Sequence, residues 1–118
     1  MSINMPSASS IAQPQIPIFS GKNYEVWAIK LKTLFCSQGI WDLTEKGFNE
    51  PKDESTLTQN ETDKLQDNRK KDAKALFLIQ QSLDESIFPK VCATKKSKIA
   101  WDILETTYQG TSKVNISK

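Results

Sequence analysis

The sequence has no histidine and only two cysteines, Cys36 and Cys92. Without imidazole, Ser-His-Asp and Cys-His catalysis within the chain are excluded, as is imidazole ligation of a metal. The cysteines form no CxxC pair and nothing signals secretion, so free thiols are expected. Cys36 falls in a helical pattern with no base at hand, which reads as a buried or half-buried structural thiol rather than a nucleophile. No apolar run is long enough to span a membrane. The first residues lack a basic stretch followed by an apolar one, and Ser2 follows Met1, so neither a signal peptide nor myristoylation is expected. P-loop, GxGxxG, HExxH, GxSxG and zinc-knuckle patterns are all missing. Asp84 and Glu85 are adjacent carboxylates, but neighbours on a helix point apart, which favours a capping role over acid–base work. These absences lead to the expectation of a non-enzyme with no cofactor, metal or small-molecule substrate, in a cytoplasmic setting.

An excess of one charge is also missing. Lys and Arg number 16, Asp and Glu 14, for a net charge of +2, less than a dedicated nucleic-acid binder carries. The charges are nevertheless segregated. Asp42 to Asp63 holds seven acids (Asp42, Glu45, Glu50, Asp53, Glu54, Glu61, Asp63) and two lysines, whereas Ser86 to Trp101 holds four lysines (Lys90, Lys95, Lys96, Lys98) and no acid. Two solvated loops account for this; attraction between copies of the chain is the alternative. Arg69, Lys70, Lys71 and Lys74, with Lys95, Lys96 and Lys98, are the candidates for weak nucleic-acid contact. No stacking aromatics are interleaved with them.

The patterning that is present is helical. Residues 1–16, rich in Ser, Pro, Gln and Asn, read as a flexible arm. Asn23 is the expected N-cap of a helix from about Tyr24 to Gln38. Its apolar stripe is Tyr24, Trp27, Ala28, Leu31, Leu34 and Phe35. Gly39 supplies the left-handed stop, and Phe19 is placed to fold back on the stripe. Trp41 then plugs into the core, and Thr44 to Asn60 reads as a long exposed loop. Thr58 and Glu61 form a capping-box pattern opening a helix to about Leu83. Leu65 and Ala73 are its early anchors, and Ala75 to Ile79, apolar nearly all round, passes through the core. Asp84 caps a further turn, which Pro89 interrupts. A last helix, beginning after Thr94 or Ser97, carries Ala100, Trp101, Leu104 and Tyr108 and ends near Gln109, with Gly110 as its stop. No sheet is expected, a short hairpin in the arm excepted. The expected core is Tyr24, Trp27, Leu31, Phe35, Trp41, Leu76, Ile79, Leu83, Trp101, Leu104 and Tyr108.

The first long helix also carries Val26, Ile29, Thr33 and Cys36 opposite its main stripe. Either another part of the chain covers this second face or it contacts another subunit.

Residues Ile18-Phe19-Ser20-Gly21-Lys22-Asn23-Tyr24-Glu25-Val26-Trp27 resemble the opening of copia-type retrotransposon Gag proteins, with their Phe-x-Gly-x-x-Tyr-x-x-Trp landmark. Ala100-Trp101-Asp102-Ile103-Leu104 and Tyr108 resemble the second landmark, Ala-Trp-x-x-Leu-x-x-x-Tyr. Ala73 to Leu76 and Ile79 to Leu83 sit where the family has its central helix, and the wording looks most like plant elements. The resemblance implies an all-α bundle of about four to five helices, similar to the N-terminal domain of retroviral capsids. It would span residues 17–110, with 111–118 a linker or the start of a truncated helix. The implied function is a structural capsid domain that self-associates into virus-like particles. Val26, Ile29 and Thr33 are then the candidate assembly residues, and RNA is bound mainly through segments beyond this chain. A Gag-derived host protein acting as a protein-interaction module is the alternative.

Overall fold

The computed structural model describes residues 15–109. Most of the expected arm, the stop at Gly110 and the expected linker at 111–118 lie outside them. Among the described residues there are four α-helices: α1 (Tyr24–Ser37), α2 (Trp41–Lys46), α3 (Gln59–Gln81) and α4 (Ser97–Leu104). Short 3-10 turns occupy Glu54–Thr56 and Phe88–Lys90, and a wider π-type turn, Glu105–Gln109, continues α4.

Local chemistry explains where the helices begin and end. Asn23 precedes α1, but with φ 59° and no side-chain cap. It serves there as a residue that tolerates left-handed backbone, not as the expected hydrogen-bonding cap. The far end of α1 closes with Gly39 at φ 72°. The Gly39 amide donates to Cys36 O at 3.2 Å and the Ile40 amide to Phe35 O at 3.0 Å. That pair of bonds is a Schellman motif, and it delivers Ile40 into the core at 1% exposure. The α3 capping box is complete: the Glu61 amide donates to Thr58 Oγ1 at 3.1 Å and the Thr58 amide to Glu61 Oε1 at 2.9 Å.

The core forms where α1 and α4 meet through aromatic rings. Trp27 lies 5.1 Å from the Phe19 ring and 5.8 Å from Trp101, both stacked. Phe19 also meets Tyr108 edge-on at 4.8 Å and Tyr24 at 5.7 Å. Two backbone bonds pin Phe19: its amide donates to Ser82 O at 2.8 Å, and its carbonyl accepts from the Asp84 amide at 3.0 Å. A parallel bridge joins Phe19 and Leu83, and no strand occurs among the described residues. Of the expected core, Tyr24, Trp27, Leu31, Phe35, Ile79, Leu83, Trp101 and Leu104 are buried. Trp41, Leu76 and Tyr108 are only partly buried and pack on the core's edge.

A second tie is polar. Asp72, at 5% exposure, accepts from the Ser97 amide at 3.1 Å and the Ser97 hydroxyl at 2.6 Å. Its carboxylate thus caps the first turn of α4 from another helix, where the helix dipole favours negative charge. Ser97 Oγ lies 3.3 Å from Thr44 Oγ1, which donates to Ile40 O at 3.1 Å. The chain of bonds joins α2, α3 and α4.

Several expectations need correction. Thr44 belongs to α2 and is buried, so the loop begins only at Gly47. Ala73 is exposed and Asp72 beside it is buried, because the side of α3 that meets Ser97 carries the acid. Phe77 is 55% exposed, so Ala75 to Ile79 is apolar on both sides but buried on only one. Cys36 is an exposed free thiol, as is Cys92.

Trp27 Nε1 is buried without a partner, at a cost of about 1–3 kcal/mol. Truncating a buried indole costs roughly 3–5 kcal/mol, so ring packing outweighs the lost bond. Trp27→Ala and Trp101→Ala should each lower unfolding free energy by about 3–5 kcal/mol in chemical denaturation. Asp72→Ala should cost about 1–3 kcal/mol, since the Ser97 donors stay buried.

Candidate self-association surface

Successive residues of an α-helix turn by about 100°. The buried stripe of α1, Tyr24, Trp27, Leu31 and Phe35, therefore lies opposite Val26, Ile29 and Thr33. Val26 is 53% exposed and Ile29 66% exposed. Thr33 is exposed too, with its hydroxyl turned back to Ile29 O at 2.9 Å. A groove on one flank of this ridge runs between Gln15–Pro17 and the side chains of Ile29, Lys30 and Thr33. Among the described residues, Gln15–Pro17 thus border the face without covering it. On the other flank, a second groove runs among α1, α2 and α4, and Ile29 belongs to the walls of both. Large aliphatic side chains held in water on a rigid helix are suited to contact with another protein surface.

The candidate nucleic-acid residues have mostly found partners within the chain. Arg69 Nη2 pairs with Glu50 at 2.5 Å and Glu54 at 2.8 Å, and Lys96 Nζ meets Glu50 at 3.0 Å. Lys96 also lies 4.0 Å above the Phe48 ring. Lys71 pairs with Asp67 and Lys98 with Asp102, each one helical turn away. Lys74 donates to Gln38 Oε1 at 2.7 Å. Lys70 and Lys95 make no ion pair among the described residues. The segregated acidic and basic runs are thus partly spent on each other inside one molecule, with Glu50 as the hinge between them.

The hydrogen bonds from Arg69 and Lys96 hold the Glu50 carboxyl down at about 2, from its ordinary 4.5. The Arg69 guanidinium is pushed up by the same carboxylates, Glu50 first and then Glu54. Asp53 and Asp84 are lowered by bonds from Ser55 and Ser86. Burial pushes the Tyr24 phenol well up, and the fields of Glu105 and Asp102 add to it.

Sequence reasoning found the α1 ridge by periodicity. It missed the second groove, whose walls come from three separated segments, and the Glu50 clasp, whose partners lie 19 and 46 residues away. Segregation of charge was the visible signal for the clasp; its pairing was not. No cluster of three or more metal-binding side chains occurs among the described residues, and no described helix is long and apolar enough to cross a membrane.

Among known protein families, a model described as the gag-polypeptide of LTR copia-type matches residues 31–117. The match begins after the first landmark, at Phe19 to Trp27, and includes the second, at Ala100 to Tyr108. No curated protein and no solved structure matches.

The Glu50 clasp has a pH signature. A carboxyl depressed in the folded state stabilises above its unfolded value of 4.5, and this is lost as pH falls toward about 2. Glu50→Gln should therefore be less stable than the parent above pH 5, and the two should converge on acidification. Salt should shrink the difference, since the pair is exposed. Unfolding midpoints across that pH range check this.

Proposed function

The chain belongs to the copia-type Gag family, and from that premise we propose that it is a capsid domain that self-associates through the outer face of α1 into retrotransposon particles. The role read here is structural and not catalytic. The observation that carries the reading is the exposure of Val26 and Ile29, at 53% and 66%, on a helix whose opposite side is locked into the core. Each contact need only be weak, because a closed shell repeats it many times. In this reading residues 17–110 act as the N-terminal half of a capsid, and 111–118 serve as a linker or as the start of a following helix. Nucleic-acid contact is a minor role for this domain, since Lys70 and Lys95 alone of the seven candidate basic residues lack a partner among the described residues.

Val26→Glu with Ile29→Glu should abolish particles from a Gag chain long enough to form them. The folded domain should be changed by only about 0.5 kcal/mol, as for other surface substitutions. Electron microscopy of particles and the unfolding midpoint of the domain read the two effects. Intact particles from the double variant would refute the assignment.

A further inference from the structure

The groove between α1, α2 and α4 has a chemistry of its own. It encloses about 330 Å³, at the small end of ligand-sized clefts. Partly exposed Trp41 gives it an aromatic wall beside the buried rings of Tyr24 and Trp101, and Glu25, Glu45 and Glu105 line it with carboxylates. None of these three acids is in an ion pair among the described residues. A cation already sits at one wall: Lys32 Nζ lies 5.1 Å above the Trp41 ring. Aromatic faces flanked by unpaired carboxylates attract ammonium and guanidinium groups. The upward push that Glu105 adds at the Tyr24 phenol reflects the same negative field.

The complementary charge lies elsewhere on the same chain. Of the four lysines between Ser86 and Trp101, Lys96 is held by Glu50 and Lys98 by Asp102. Lys90 and Lys95 are exposed and make no ion pair among the described residues. They sit on a corner whose backbone is fixed by bonds from Lys90 N to Ile87 O and from Thr94 N to Val91 O, at 2.9 and 3.0 Å. A preordered corner loses little freedom on docking.

We propose that the acidic aromatic groove receives the Lys90–Lys95 corner of a second copy of the chain. This rests on the self-association reading and names a second contact for it, continuous with the α1 ridge through Ile29. The groove and the corner supply opposite charges, so the contact orients one copy relative to the next as well as attracting it.

Sedimentation equilibrium of the 118-residue chain at low salt tests it. Glu45→Lys with Glu105→Lys, and separately Lys90→Glu with Lys95→Glu, should each weaken self-association by about tenfold. All four substitutions in one chain should restore most of it, because the charges are then exchanged and not removed. Failure to restore, or no weakening by either pair, overturns the groove contact. If the charge pairs are silent while Val26→Glu with Ile29→Glu abolishes association, the groove contact falls and the α1 reading stands. If the parent chain does not associate at any concentration, both fall. A peptide of residues 86–96 should compete with association; a scrambled peptide competing equally well would make any basic partner the occupant and overturn the second copy.

Discussion

Trp27 lies between Phe19 and Trp101, with ring centroids 5.1 and 5.8 Å away. The contact joins the segment before α1 and α1 itself to the distant α4. Phe19 can reach the stack because its backbone is hydrogen-bonded at the end of α3. The π-type turn after α4 lets Tyr108 meet Phe19 edge-on. Rings in offset and edge-to-face arrangements gain roughly 0.5–1.5 kcal/mol per pair beyond simple burial. That gain helps tolerate the unpaired indole nitrogen at the centre. Once the stack is formed, the rotation of α1 about its own axis is fixed, and so is the side of it that faces water.

The polar groups do different work. Asp72, Ser97 and Thr44 bond in sequence inside the fold and set how α4 begins relative to α2 and α3. Glu50 gathers Arg69 and Lys96 on the surface and holds the loop after α2 against α3. Arg69, Lys71, Lys96 and Lys98 are in this way paired with the chain's own acids. Among the charges outside these pairs, Glu25, Glu45 and Glu105 line the α1–α2–α4 groove and Lys90 and Lys95 lie on the corner before α4. A near-neutral domain with segregated residual charge is better arranged to orient copies of itself than to grip a phosphate backbone.

Local signals were legible and long-range ones were not. The capping box at Thr58 and Glu61, the glycine stop at Gly39 and the apolar stripe of α1 depend on residues within one or two turns, and they appear where the sequence places them. The family landmarks led to the same copia-type Gag assignment as the match over residues 31–117. Thr44 and Asp72 look like surface residues until their shared partner Ser97, 53 and 25 residues away, is known. Phe77 looks like core because it stands in an unbroken apolar run, yet it is 55% exposed. The exposed ridge of α1 was visible as a second apolar face, but not whether anything covers it. The structure places Gln15–Pro17 along one edge and leaves Val26 and Ile29 in water.

The central claim is that α1 has a committed inner side and an available outer side that a second copy engages. Backbone amide spectra of the isotope-labelled chain over a range of concentrations test it most directly. The account predicts that peaks of Val26, Ile29 and Thr33 move together and saturably as concentration rises, while those of Leu31 and Phe35 hold their native positions. Concentration-dependent shifts confined to another face, with the α1 peaks unmoved, would contradict it.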